Sequence, residues 1–322
     1  MNFKNMNESA VSPIVATLVL IVVAVVGAVA VGTIMGTFSS DVAEQTNVGD
    51  VGGSASAEVL IAGSTTVQPV SEILAEAYMN QKPGVKITVQ GGGSGAGISS
   101  VGMGIADIGS ASRPMNEDEV TQYPNLVQHK IGGSVVVFIA NKNATTTIAT
   151  VAALADEYDT PTSGNVVYER DESSGTEDTA KEYLGVTFAD TTKETGNAGI
   201  LKAVQDTDAA QTAIGFVDWS YAADATGIYV ADITDTGDIT WVSPSAMDTD
   251  ELKLIASLKA QDLDNPSTDD GEDYPVDLGR LLFYITNGNP SSVVKNYIEF
   301  TQSPAAFGYF EETGYWPIVE LM

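Results

Sequence analysis

Apolar positions follow two regimes along the chain. From Ser9 to Ser40 no charged residue occurs, and Val11 to Met35 is almost wholly apolar, rich in Val, Ile, Leu and Ala. That length suits a bilayer-spanning helix, which needs about 20 apolar residues, and exceeds the about 7–15 of a cleaved secretory signal. Lys4 precedes the run, whereas Asp41, Glu44 and Asp50 follow it before the next lysine, Lys82. The positive-inside tendency then makes residues 1–38 a leader and single-pass anchor, with the bulk of the chain outside the cell membrane. Residues 39–56, polar and dotted with Gly and Ser, read as a flexible tether reaching roughly 25 Å at about 5–6 Å × √n.

From Glu58 the period alternates between strand and helix. Glu58–Ala62, Val85–Val89 and Asp107–Ser110 read as strands, while Val67, Val70, Ile73, Leu74 and Ala77 recur at helical spacing. Asn116 caps a short acidic helix, Glu117–Gln122, and two strands, Leu126–Ile131 and Val135–Ala140, follow. The same logic repeats afterwards. Helices fall near Thr150–Glu157, Ile200–Gln205, Met247–Lys259 and Val293–Thr301. Strands fall at Val166–Tyr168, Ala213–Val217, Ile228–Ile233, Ile239–Val242 and Leu281–Thr286. Ser303-Pro304 opens a last helix. This order predicts an α/β fold with a mainly parallel sheet and its ligands at the carboxyl ends of the strands.

Composition narrows the chemistry. Fourteen Lys+Arg against 43 Asp+Glu give a formal net charge of −29, which argues against nucleic acid as a partner, because phosphate-backbone binding needs a broad basic surface. There is no cysteine, and His129 is the only histidine. Thiol chemistry and multi-histidine metal sites are therefore absent, no cofactor is implied, and no paired base and nucleophile suggests an enzyme. Asn143-Ala144-Thr145 is a glycosylation sequon. The acidic cluster Asp269–Asp273 reads as a solvated loop without the spacing of a calcium-binding loop.

Four loops share one design. Gly63-Ser64-Thr65-Thr66, Gly93-Ser94-Gly95, Ser110-Ala111-Ser112-Arg113 and Arg170–Thr176 each follow an expected strand and lead into a helix or turn. Singly, Ser, Thr and Gly there are ordinary cap and turn residues. Together they supply hydroxyl and backbone N–H donors suited to a small tetrahedral oxyanion. Two of the three arginines, Arg113 and Arg170, fall on these loops; the third is Arg280.

The segments Gly63-Ser-Thr-Thr-Val-Gln-Pro69, Gln90-Gly-Gly-Gly-Ser-Gly-Ala-Gly97, Asp107-Ile-Gly-Ser-Ala-Ser-Arg-Pro114, Arg170-Asp-Glu-Ser-Ser-Gly-Thr176 and Ala213-Ile-Gly-Phe-Val217 occur in this order. As a set they resemble the phosphate-binding proteins of the phosphate ABC transporter, from about Glu58 to the C-terminus. The resemblance implies a two-lobed type II periplasmic-binding fold with two crossover segments: lobe one at 57–138 plus 275–322, lobe two at 139–274. It implies inorganic phosphate as ligand, ABC permease subunits as partner, and binding without bond breakage. It also implies a ligand set of Ser64, Thr65, Thr66, Ser94, Ser112, Arg113, Arg170, Ser174, Gly175 and Thr176. Many members carry an aspartate where this chain has Ser112, so weaker rejection of sulfate is expected.

Ala10-Val11-Ser12-Pro13-Ile14-Val15 and the following apolar run resemble the N-terminus of archaeal type IV pilin-like proteins. That resemblance implies removal of a short leader near Ser9 or Ala10. It leaves open a second reading, a pilin-like filament subunit with a binding-protein head. A third keeps the binding class and changes the ligand to another tetrahedral oxyanion.

Overall fold

The computed structural model describes residues 57–141, 148–208, 210–263 and 274–322. The expected anchor, the tether, the Asn143 sequon and the acidic loop 269–273 lie outside these residues. Among the described residues no helix is long and apolar enough to cross a membrane. Ser56–Met322 forms one compact unit, which is described by itself.

Strand β1 (Ala57–Gly63) alternates as the pleat requires, with Val59, Ile61 and Gly63 buried and Glu58 exposed. Helix α1 (Gln68–Gln81) carries proline in its first turn, where a missing N–H costs nothing, and buries Val70, Leu74, Ala77 and Tyr78. Strand β2 (Val85–Gly91) lies parallel to β1 with Ala57 opposite Val85. Helix α2 (Ser94–Gly102) leads to β3 (Ile108–Ala111), parallel to β1 on its other side. Helix α3 (Glu117–Gln122) starts in a reciprocal cap between Asn116 and Glu119.

Strand β4 (Leu126–Ala140) is one continuous strand of 15 residues. Sequence periodicity predicts two strands interrupted at Gly132-Gly133. The glycines do not interrupt it; they let other parts of the chain approach. A Cβ on Gly132 would meet the Trp316 carbonyl at 2.5 Å and the Phe310 ring at 2.9 Å. Along β4 the antiparallel partner changes: residues up to Val135 pair with β10, and those from Val136 pair with β7. The strand thus passes from one half of the sheet to the other at Val135/Val136.

The second half holds α4 (Val151–Asp159), β5 (Val166–Arg170), α5 (Gly175–Leu184), β6 (Thr192–Glu194), α6 (Gly196–Asp206), β7 (Ala213–Asp218) and α7 (Trp219–Ala222). The antiparallel pair β8 (Tyr229–Ile233) and β9 (Ile239–Val242) and helix α8 (Thr249–Gln261) complete it. Strand β10 (Gly279–Asn287) returns to the first half, antiparallel to β3 and β4. Helices α9 (Ser292–Thr301), α10 (Phe307–Glu312) and α11 (Ile318–Leu321), with the two-residue strand β11 (Trp316–Pro317), close the unit. Strand β6 has no counterpart in the sequence reading, because three residues carry no period.

The strand order is β2-β1-β3-β10-β4-β7-β5-β6. Parallel pairs flank β1 on one side and β5 on the other, and the crossover strands β4 and β10 run antiparallel between them. Each half has its own apolar core. Ile61, Leu74, Ile108, Tyr284, Tyr297 and Phe310 anchor the core beside β1. Phe138, Leu154, Tyr158, Ile200, Ile214 and Phe216 anchor the core beside β7, which Trp316, Ile318 and Leu321 also join. His129 sits on the crossover strand and shares a 2.9 Å hydrogen bond with Thr286; burial lowers its pKa, which keeps the ring neutral at physiological pH.

Candidate functional site

The carboxyl ends of β1, β2 and β3 deliver three serines to one point. Ser64, Ser94 and Ser112 are each at most 2% exposed. Ser64 Oγ accepts from the amides of Thr66 and Val67 at 3.2 and 3.3 Å and donates to Ser112 Oγ at 3.2 Å. Ser94 Oγ accepts from the Ser112 amide at 3.1 Å and lies 3.4 Å from Ser112 Oγ. The loops pack this tightly because β1 holds β2 and β3 in fixed register on either side.

The loop between β5 and α5 brings the other wall. Strand β5 ends on Arg170, which is 3% exposed. Ser174 caps α5, its hydroxyl accepting from the Glu177 amide, and the amides of Gly175 and Thr176 precede the first intrahelical donor. The free N–H groups and the helix dipole make this end attractive to anions.

The walls are in contact. Arg170 donates to Thr65 Oγ1 at 2.6 Å and to Asn197 Oδ1 at 3.2 Å. Thr66 and Thr176 share a 3.0 Å hydroxyl bond across the cleft. Asn197 Nδ2 donates to Thr66 Oγ1 at 3.0 Å, and Tyr221 donates to the Thr65 carbonyl at 3.1 Å. Burial pushes Tyr221 up to about 12, so its hydroxyl stays a donor. Gly175 faces Ser112 so closely that a Cβ would come within 2.7 Å of its Oγ and 2.9 Å of its carbonyl. Glycine is required there by space alone.

The cluster contains a residue that sequence reasoning did not select. Arg280, on β10, is 3% exposed and reaches under the hydroxyls. It donates to Thr176 at 2.8 Å, to Ser112 and Thr66 at 3.3 Å each, and to Ser134 at 3.0 Å. It also pairs with Asp218, which is fully buried. Asp218 N–H and Arg170 both donate to Asn197 Oδ1, which fixes the amide's orientation. One signal was available in the sequence. An arginine at the head of an apolar strand is almost never buried without a partner.

Arg113, also expected in the ligand set, is engaged with carboxylates in this structure. Its guanidinium binds Glu119 through two nitrogens at 2.7 and 2.8 Å and Asp178 of lobe two through Nε at 2.7 Å. The Glu119 hydrogen bonds hold the Arg113 pKa above its ordinary value, against the cost of burial. Burial pushes Glu119 up, but its hydrogen bonds to Arg113 and the Asn116 amide outweigh that and lower its pKa overall. The remaining nine expected residues lie in or beside the cluster. Each cluster arginine has a carboxylate partner, Glu172 for Arg170 and Asp218 for Arg280. The local field therefore comes from oriented donors more than from net charge.

The arrangement of donors can hold a small oxyanion between the loops that follow β1, β2, β3 and β5. A 186-residue match, 30% identical, links the chain to the Phosphate-binding protein PstS of Bacillus subtilis; it spans 53% of this chain and 60% of that protein's length. Two solved structures share the architecture. A Clostridium perfringens substrate-binding protein with bound phosphate gives a TM-score of 0.62 at 23% identity, over 81% of this chain and 99% of that one. An ABC-type phosphate transport receptor from Vibrio cholerae gives 0.57 at 22% identity, over 80% and 99%. At such identities these likenesses establish the α/β fold, consistent with a type II periplasmic-binding architecture. The PBP superfamily domain profile matches residues 43–305, most of the chain, and the protein therefore belongs to the PBP superfamily.

Proposed function

We propose that the protein is a solute-binding protein that captures inorganic phosphate between its two lobes and delivers it to the permease subunits of an ABC transporter. The single observation that carries this is the convergence, across one cleft, of five buried hydroxyls (Ser64, Thr66, Ser94, Ser112 and Thr176) with two buried guanidiniums, Arg170 and Arg280. Such a set satisfies the oxygens of a tetrahedral anion from several directions at once. The PstS relative agrees with this ligand class. The lobes close by a hinge through β4 and β10, and ligand bonds that span the cleft hold them closed. No bond is broken in this cycle. Residues 11–35 would tether the binding unit to the membrane with residues 57–322 outside the cell.

Calorimetric titration of the purified full chain with inorganic phosphate tests the reading. Arg170→Ala is expected to weaken phosphate binding at least a hundredfold, about 2.7 kcal/mol. An unchanged affinity in that variant removes the central claim.

A further inference from the structure

We propose that Asn197 is a positioning residue for the anion: its side-chain amide sets the guanidinium of Arg170 and the hydroxyl of Thr66, and acts on the ligand through them. The proposal deepens the phosphate reading and rests on it.

Local structure brings Asn197 to this place. Strand β6 is only three residues long, but it pairs with the end of β5 so that Glu194 lies opposite Arg170. The Asp171 amide donates to the Glu194 carbonyl at 3.2 Å, and Thr195 Oγ1 donates to Asp171 Oδ2 at 2.7 Å. Gly196 then turns the chain with φ +71°, a left-handed conformation that glycine adopts without steric penalty. Its amide donates to Glu172 at 3.2 Å. Asn197 follows in the first turn of α6, fully buried. The turn that opens α6 is thereby tied to the strand end that carries Arg170.

The Asn197 amide closes a ring of five residues. Its oxygen accepts from Arg170 Nη1 at 3.2 Å and from the Asp218 N–H at 3.1 Å. Both partners can only donate, so the oxygen lies on that side and the nitrogen on the other. Nδ2 donates to Thr66 Oγ1 at 3.0 Å. Arg280 donates to the same Thr66 oxygen at 3.3 Å and pairs with the Asp218 carboxylate, which completes the ring. The rest of the Arg170 fork is held by Glu172, through Nε and Nη2, and by Thr65 through Nη2. Among the described residues, Asn197 alone bonds to Nη1.

Only an amide meets all these demands. Glu172 already neutralises Arg170, and Asp218 neutralises Arg280. A carboxylate here would add negative charge beside the arginine that must hold an anion. An aliphatic side chain would leave Arg170 Nη1 and the buried Asp218 N–H without an acceptor, at about 1–3 kcal/mol for an unpaired buried group. An amide accepts on one side, donates on the other and carries no charge. Holding the fork still matters because recognition of an oxyanion by arginine depends on the direction of its N–H groups as well as on charge.

The test is calorimetry with inorganic phosphate on the full chain as wild type, Asn197→Ala, Arg170→Lys and the double variant. Affinity compares the bound with the free folded chain, so a contact that merely supports the fold cancels in it. Asn197→Ala is expected to weaken phosphate binding at least about tenfold. Arg170→Lys keeps the charge and loses the fork. The combined loss is therefore expected to fall short of the product of the two single losses by at least about threefold. An unchanged affinity in Asn197→Ala, or a combined loss equal to that product, overturns the inference and leaves the phosphate reading standing. A wild-type chain that does not bind phosphate overturns both. Asn197→Asp keeps the shape of the side chain and both accepted bonds, and it decides the matter if the Asn197→Ala chain does not fold. It loses the donor to Thr66 and sets a charge against Arg170, so phosphate is expected to weaken at least about a hundredfold. An affinity within about threefold of wild type in that variant overturns the inference.

Discussion

Arg113 and Arg280 hold opposite places from those their sequence contexts suggest. Arg113 stands on a Ser-rich loop after a strand, next to Ser112, yet its guanidinium lies against Glu119 and Asp178. Arg280 opens an apolar strand, outside every glycine- or serine-rich loop, yet it donates to three hydroxyls of the cleft. The difference lies in what surrounds each side chain. Glu119 is fixed by the α3 cap and presents a fork to Arg113. Arg280 emerges between β3 and β4, so its long side chain runs beneath the ends of the parallel strands. A loop motif marks where backbone donors gather. It does not say which way a long side chain turns.

The largest test of this contrast is stability. Arg280 and Asp218 are both at most 3% exposed, so Arg280→Ala leaves a buried carboxylate unpaired. About 3–5 kcal/mol of unfolding free energy is expected to be lost, read by urea denaturation of the full chain. Arg280→Met combined with Asp218→Asn is expected to recover much of it, because an apolar or neutral pair carries no uncompensated charge. A loss below about 1 kcal/mol in Arg280→Ala would place Arg280 in the same class as a surface ion pair and erase the distinction from Arg113.

Much of the site was legible because its backbone is local. Ser174 as a cap with Gly175 and Thr176 behind it follows from strand-loop-helix order alone, and so do the ends of β1, β2 and β3. What was not legible depends on contacts distant in sequence. Arg280 meets Thr66 across 214 positions and Thr176 across 104, and no window of residues contains either pair. Asn197 and Asp218 were missed for the same reason. The fold shows a parallel limit. The periods of α1, α8 and α9 are visible, but Gly132-Gly133 looks like a break until the Trp316 carbonyl and the Phe310 ring are known to pack against it.

A smaller effect tests the contact between the lobes. Gly175→Ala places a methyl against the Ser112 carbonyl and hydroxyl. Closure is expected to become harder by about 1–3 kcal/mol, typical of overpacking. Phosphate affinity in calorimetry should fall correspondingly while the unfolding free energy of the ligand-free chain changes less. A chain that binds phosphate as before would show that the lobes meet differently in the bound state. Arg113→Ala sits lower still. Its partners span the cleft but lie at its margin, with Asp178 51% exposed, so a loss of no more than about 1 kcal/mol in stability or affinity is expected. A hundredfold loss of phosphate affinity, about 2.7 kcal/mol, would place Arg113 in the ligand set.

The finest test uses the two carboxylates on Arg113, which respond to pH in opposite directions. The Glu119 pKa is lowered in the folded chain. Its stabilisation is therefore present above the ordinary carboxylate range, about 4.3, and is lost as pH falls through the depressed folded value. Asp178 is raised, by burial first, with Arg113 offsetting part of the push. The folded chain holds its proton more readily, so its contribution is complete below the ordinary aspartate value, about 3.9, and is lost as pH rises through the folded one. With half its side chain open to solvent, the Asp178 effect is screened to a fraction of a kcal/mol. Urea denaturation at about pH 3 and about pH 6 should then show the stability gap between wild type and Glu119→Gln widening toward the higher pH. The gap between wild type and Asp178→Asn should shift in the opposite sense and by less. If both gaps move together, Arg113 does not hold its two carboxylates in different environments, and its assignment to an ion-paired margin outside the anion cluster fails.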